Sequence, residues 1–298
     1  RFATTGRRVG NPDLQPETST TFTVGTVLQP EFLNSGNLRT TFTADYWQVK
    51  QKGIVGVFGE GNALILDYLA RLQGSSNPAV VRRPVTQDDI DLFAGTGLDP
   101  VGVVQYVDDQ YRNLEPQKVR GIDFGLDMGL NDTGIGSFRF RANVAYLLEY
   151  FRDVSPDIQA LIDARDAGVI DSGTIIPESA NQIRDDGFPK WRATGSLTWN
   201  LGQFTAGASV RYVGSVIDDD ITSDDASAQN LLLKAYTTAS LYVQYEFEDG
   251  ALDGTRFRVG ARNITNAQPP RDSSALGYDG SLHSPLPRYW YVNVSKTF

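Results

Sequence analysis

The chain has 298 residues, a formal charge of −9 at neutral pH and no cysteine. Without cysteine it can have neither a disulfide framework nor a thiolate metal site. Its acidity argues against nucleic acid as a partner, because phosphates need clustered Lys and Arg. No run of eighteen apolar residues occurs, so a transmembrane helix is excluded; the strands of a membrane barrel are not, since they are apolar on alternate residues only. The length suits one large all-β domain or two ordinary ones, and 29 glycines, 13 tyrosines and 15 phenylalanines favour strands and turns. The chain opens at Arg1 without a signal peptide, which reads as a processed or truncated N-terminus.

Turn formers fill Asn11-Pro-Asp-Leu-Gln-Pro-Glu-Thr-Ser19. A first strand is expected at about Thr18–Gln29, with Phe22, Val24, Thr26 and Leu28 on one face and Thr21, Thr23 and Gly25 on the other. After a short connection, a second strand at about Leu38–Val49 sets Phe42, Ala44 and Tyr46 against Thr41, Thr43, Asp45 and Trp47. An irregular stretch follows, about 50–116, with helical spacing over Asn62–Gln73 and a second short helix capped by Thr86 and running to about Ala94. A loop this long is functional or disordered.

The third strand is the clearest, with Ile122, Phe124, Leu126, Met128 and Leu130 alternating with Gly121, Asp123, Gly125, Asp127 and Gly129. Past the turn Asn131–Gly136, the fourth strand puts Phe138, Phe140, Ala142, Val144, Tyr146, Leu148 and Tyr150 on one face and Arg139, Arg141, Asn143 and Glu149 on the other. A second long loop, about 151–188, contains a helix near Ile158–Ala167. Strands five (about Lys190–Leu201) and six (about Gln203–Val213) turn tightly at Gly202. A loop at 214–232 precedes strand seven (about Leu233–Phe247), which turns into strand eight (about Thr255–Asn266). A last loop, about 267–286, leads to the closing strand, where Trp290, Val292, Val294 and Phe298 alternate with Tyr291, Asn293, Ser295 and Thr297.

These make nine strands of about ten to thirteen residues, longer than the usual strand of a soluble protein, and their connections alternate short and long. A soluble β-sandwich has no reason to sort its loops this way; a bacterial outer-membrane barrel does. The fold class expected is therefore an all-β, transmembrane antiparallel barrel. An open nine-stranded sheet in lipid would leave two edges of unpaired backbone groups, which is prohibitive. Single-chain bacterial barrels also have an even strand count. Residues 1–298 are thus expected to be the last part of a longer barrel.

Asn11-Pro-Asp-Leu-Gln-Pro-Glu-Thr-Ser19 before a strand resembles the Asn-Pro-x-Leu-x-Pro-Glu signature of TonB-dependent outer-membrane receptors. Val119-Arg-Gly-Ile-Asp-Phe124, Phe188-Pro-Lys-Trp-Arg192, Arg262-Asn-Ile-Thr-Asn266 followed by Pro269-Pro270, and the closing strand to Phe298 are similar to that family in the same order. The resemblance implies a barrel of 22 strands, of which these are the last nine, filled by an N-terminal plug and driven by the TonB complex. It implies uptake of a scarce nutrient (a ferric siderophore, another metal chelate or an oligosaccharide) across the outer membrane. Outer-membrane lipid, lipopolysaccharide and the barrel-assembly machinery are the further partners implied, with Phe298 as the assembly signal.

With Phe298 at the periplasmic edge, the polar faces line the lumen. Trp47, Glu149, Arg192, Arg211, Tyr236, Arg262, Tyr289 and Tyr291 then lie near the outer mouth as candidate substrate-binding residues. Asp127, Arg139, Arg141, Arg256 and Arg258 lie near the periplasmic end as candidate plug contacts. Arginine and aromatic rings suit a ligand of anionic or sugar-like character; the plainer alternative is that they pack and pair with the plug or with each other. The aspartates at 218–225 and Asp185-Asp186 offer oxygen ligands to a divalent cation, but they do not match the spacing of a calcium loop, so solvated loops are the expectation there, with cation binding as the alternative. His283, the sole histidine, stands between Ser281 and Ser284 with no acid beside it in sequence, so no catalytic residue, metal or cofactor is expected. A passive porin and a barrel whose loops serve adhesion or surface assembly are the rival functions.

Overall fold

The computed structural model describes residues 5–174, 176, 181–184, 187–218 and 231–297. The long strands are β1 (Thr18–Leu28), β2 (Leu38–Lys52), β3 (Gln117–Thr133), β4 (Gly136–Arg152), β5 (Trp191–Leu201), β6 (Phe204–Val213), β7 (Tyr236–Glu246), β8 (Thr255–Arg262) and β9 (Tyr289–Lys296). They form one nine-stranded sheet in sequence order, with β1 and β9 at its edges. Pairing is antiparallel from β4 to β9, as short hairpins require. The turn between β5 and β6 is a two-residue hairpin closed by Leu201 and Phe204. Gly202 takes φ +53° at its first central position, where a side chain would be strained. Among the described residues no helix is long and apolar enough to cross a membrane.

Alternation has its expected consequence. Trp290, Val292 and Val294 are each more than 60% exposed, although they are large and apolar. Phe22, Val24, Leu197, Val243 and Phe257 are exposed in the same way. A water-soluble sheet would bury these side chains; here they make a continuous apolar face that a bilayer would cover. The opposite face carries Asp, Arg, Asn, Ser and Thr.

The chain divides into two compact units. One holds residues 21–49, 119–150 and 182–298, the body of the large sheet; the other holds residues 1–20, 50–118 and 151–181. The second unit corrects the expectation of an irregular loop. It contains the helices α1 (Glu60–Leu72), α2 (Gln87–Phe93) and α3 (Pro156–Asp166). It also contains a three-stranded sheet in which Val104–Gln110 lies between Gly6–Val9 and Val80–Arg82. Strands this short, contributed by separate segments, give too little local periodicity to be read in sequence. Ala63, Val80 and Val107 make its core, with Phe58, Leu64 and Val104 packed against them. Leu161 of α3 is fully buried, and α3 packs on α1. Each fully buried side chain of that size is worth about 1.5–3 kcal/mol.

Two of the helices, α3 and α2, start at side-chain caps, whereas α1 follows Gly59, which has no side chain to cap it. The Ser155 side chain accepts the Ile158 N–H with Pro156 in the first turn, and Thr86 and Asp89 form a reciprocal capping box. The signature segment near the start of the chain is also held in this unit. Glu17 Oε1 accepts the Val55 N–H at 2.6 Å. Asn113 exchanges amide bonds with the Gln15 backbone and donates to the Gly53 carbonyl. Asp67, almost wholly buried, gathers Arg82 at 2.8 Å, Arg71 at 3.1 Å and the Asn77 N–H at 2.9 Å. Burial alone would raise the Asp67 carboxyl, but these donors outweigh it and hold it below the usual carboxylate range.

Several boundaries differ from those expected, among them the end of β2, which runs on to Lys52 past Val49. β8 ends at Arg262, because Asn263 turns to φ +47° and its side chain braces the carbonyls of Ala267 and Leu286. Leu233 belongs to a separate hairpin with Val216–Asp218, and β7 begins at Tyr236. That hairpin shares a small core, Val213, Val216, Leu233 and Leu282, so the last loop is pinned by Leu282. Asp218 is buried, where a solvated loop was expected, and accepts both the N–H and the hydroxyl of Ser273. The remaining aspartates of the two acidic tracts (Asp185, Asp186, Asp219, Asp220, Asp224 and Asp225) lie outside the described residues, as does Phe298.

Candidate ligand-binding wall

The strand registers place the polar face in rows. One row runs Asn143–Thr194–Arg211–Thr238 across β4 to β7. It continues through Gly125 to Thr43, since a side chain at Gly125 would meet the Thr43 hydroxyl and lie near the Asn143 amide. Toward the long loops, the next row is Ala145–Arg192–Val213–Tyr236. Toward the short turns come Arg141–Ser196–Ser209–Ser240 and then Arg139–Thr198–Gly207–Tyr242–Gly260–Tyr291. Small residues in these rows make room for large ones: the rings of Tyr242 and Tyr291 lie over Gly207 and Gly260, where any Cβ would collide with them.

Charges near the short turns are satisfied by one another. Asp127 receives Arg139 through two nitrogens, at 3.1 and 2.7 Å, and Arg141 at 3.0 Å. Arg256 pairs with Glu246 at 2.9 Å. Arg258 donates twice to the Gln244 side-chain oxygen and stacks on Tyr242, 4.3 Å from the ring centre.

Near the long loops the arrangement is looser. Arg192 and Arg211 are exposed and line a recess of about 400 Å³ together with Asp45, Asp123, Asn143 and Thr194. No carboxylate lies within ion-pair distance of either arginine among the described residues. Among the described residues, Arg211 donates to the Leu282 carbonyl alone, at 3.4 Å. Farther along the sheet, Arg262 lies 5.9 Å from the ring centres of both Tyr289 and Tyr291; the register puts Tyr291 in the Arg139 row, toward the short turns, and not level with Arg192 and Arg211 as expected. The Trp47 ring covers Gly121.

Two further predicted residues are placed differently. Tyr236 is buried, its hydroxyl donating to the Ser284 carbonyl at 3.0 Å and its ring edge-on to His283. It supports the last loop and does not face a ligand, because that loop folds down onto it. Glu149 pairs with Arg120, which lies beside Tyr46, the ring that meets Phe22. Phe22 belongs to the apolar face, so alternation breaks near the end of β4 and takes Glu149 away from Arg139 and Arg141.

His283 is buried, and its Nδ1 has no hydrogen-bond partner among the described residues. Burial pushes its pKa below the ordinary histidine value, while Asp279 and Asp272 act in the opposite sense and Arg211 in the same sense. The fold thus brings acids near His283 that the sequence did not, but its contacts are those of a packed side chain. Among the described residues no group of three or more His, Cys, Asp or Glu side chains could hold a metal ion.

A family model described as TonB dependent receptor-like, beta-barrel, matches residues 1–264. The chain belongs to this family. Proteins of the family are outer-membrane receptors, and the nine-stranded sheet is part of such a barrel. Solved structures of similar fold include the siderophore receptor PirA from Acinetobacter baumannii (16% identity, TM-score 0.57, 98% of this chain and 33% of that one). The ferric enterobactin receptor PfeA from Pseudomonas aeruginosa, solved as a mutant with enterobactin, matches at 16% identity and TM-score 0.55, over 99% of this chain and 34% of that one. The FrpB iron transporter from Neisseria meningitidis matches at 12% identity and TM-score 0.50, over 97% of this chain and 32% of that one. The chain spans about a third of the length of these receptors. Among curated proteins, none matches by sequence. The family and these neighbours are receptors and transporters, not enzymes.

Proposed function

We propose that this protein takes up a scarce nutrient (a ferric siderophore, another metal chelate or an oligosaccharide) across the bacterial outer membrane, energised by the TonB complex. In this reading the sheet is the last nine strands of a barrel of 22. Its apolar face meets lipid and lipopolysaccharide, and its polar face lines the lumen. The observation that carries the proposal is the polar wall at the long-loop end, where Arg192 and Arg211 are exposed and, among the described residues, have no carboxylate partner. Arginines free to make bidentate bonds suit an oxygen-rich anionic ligand. Trp47, Arg262, Tyr289 and Tyr291 add stacking surfaces to the same face. Asp127, Arg139, Arg141, Arg256 and Arg258, near the short turns, are proposed to meet the plug. Phe298 is proposed to present the closing strand to the barrel-assembly machinery.

The test is uptake of radiolabelled iron chelates and oligosaccharides by cells expressing the full-length receptor, with and without an intact TonB complex. Uptake of one class that stops when TonB is removed is the expected result. Uptake that persists without TonB would replace the proposal with a passive porin.

A further inference from the structure

The recess near the long loops is polarised. Asp45 on β2 and Asp123 on β3 line one side of it, Arg192 on β5 and Arg211 on β6 line the other, and uncharged Asn143 on β4 lies between, with Thr43 beside Asp45 and Thr194 beside Arg192. All four charged side chains are exposed, and among the described residues none is ion-paired. Geometry keeps them apart: at about 4.8 Å per strand, Asp123 and Arg192 are separated by roughly 10 Å, and Asp45 and Arg211 by nearly 20 Å. The contrast with Asp127, Arg139 and Arg141 is one of register. There an acid and two arginines face each other on adjacent strands and pair within the wall; here, among the described residues, the wall leaves both signs unpaired.

Resting on the uptake reading above, we propose that this recess selects a ligand of mixed charge. Asp45 and Asp123 would receive a cationic group such as a protonated amine. Arg192 and Arg211 would receive a carboxylate, phosphate or catecholate roughly 10–20 Å away. A purely anionic ligand gains the arginines but meets the two carboxylates; a purely cationic one meets the reverse. A ligand carrying both charges at that separation gains at both ends, so the aspartates determine specificity and the arginines contribute affinity.

The experiment uses the purified full-length receptor and three ferric chelates of similar size: an anionic tricatecholate, a cationic hydroxamate with a free amine, and a chelate bearing one free amine and one free carboxylate. Binding is read by quenching of tryptophan fluorescence. The mixed-charge chelate is expected to bind about tenfold tighter than either of the others. Asp45→Asn with Asp123→Asn should abolish that preference and strengthen the anionic chelate about tenfold. Arg192→Gln with Arg211→Gln should weaken the mixed-charge and anionic chelates alike.

An unchanged ranking in the aspartate variant would overturn the proposal. So would faster hydrogen exchange of the plug with chelate affinities unaltered, which would assign the four charges to the plug. Should a variant fail to assemble, the wild-type receptor decides by salt, which screens exposed charges; a mixed-charge preference indifferent to salt would also overturn it. TonB-dependent uptake with the ranking unchanged in the variants defeats the charge proposal alone. Absence of binding and uptake for every chelate and oligosaccharide defeats the uptake reading with it.

Discussion

The two compact units of this chain are held together by different means. The unit built from residues 1–20, 50–118 and 151–181 has an interior of the ordinary kind: Val107 and Leu161 are fully buried, and Asp67 is enclosed with three donors. The large sheet has little interior of its own. Large apolar side chains such as Trp290 and Val292 stay mostly exposed, and among the described residues its buried apolar cluster is the small one of Val213, Val216, Leu233 and Leu282 near the last loop, with Tyr236 and Ala261 also buried. One unit drives its folding by removing apolar surface from water. The other presents apolar surface to a second solvent and is held by strand pairing.

Substitutions that strike one unit should spare the other. The largest effect is expected from Leu161→Ala, which opens a cavity under α3 and should cost about 2–5 kcal/mol. Hydrogen exchange should report faster opening of α1 and α3 while the sheet keeps its heat resistance. Leu126→Arg places a charge on the apolar face of β3 beside Phe42 and Phe124 and should cost about 2–4 kcal/mol if that face lies near mid-membrane. Unfolding in lipid vesicles is the measurement, and unchanged stability would mean the two faces have been exchanged.

Asp67→Asn should cost about 1.5–3 kcal/mol, since it weakens charge-assisted bonds from Arg82 and Arg71. The same residue gives that unit an acid limit. Its folded pKa lies below the unfolded value of about 3.9, so its stabilisation is present at neutral pH and is lost as pH falls through the folded pKa. Proteolysis between pH 5 and pH 2 should show the wild-type unit losing this advantage over the Asn variant.

The smallest expected effect concerns the last loop. His283 is buried with its pKa depressed, so the undocked loop binds the proton better. Docking on Tyr236 should therefore weaken as pH falls below about 6.5, by no more than about tenfold per pH unit. Exchange of the Leu282 and His283 amides, which bond to the Asp279 carbonyl, should quicken between pH 7.5 and pH 5.5. His283→Phe should flatten that profile.

Much of the sheet is legible in the sequence, because a period of two persists along each strand whatever its neighbours do. Phe124, Leu126 and Met128 against Asp123, Gly125 and Asp127 state the two faces of β3 outright, and the turn at Gly202 announces itself. Pairing is less legible. Nothing local tells Asp127 that it will meet Arg139 and Arg141, or Glu149 that it will leave their face for Arg120. Tyr236 has the alternation of a lumenal residue, yet a loop about fifty residues later covers it.

The amino-acid sequence by itself determined the strands, their order, the contrast between faces and the sorting of connections into short and long, since these follow from local periodicity and from turn chemistry. Its signature segments also placed the chain in its family, and the family model agrees. Only the tertiary structure decided that the long connections fold into a unit with its own core, because that core joins residues as far apart as Ala63 and Val107. The structure likewise decided which charges of the polar face are neutralised and which are left for a ligand. Charge satisfaction depends on register across strands, and a linear pattern does not carry register.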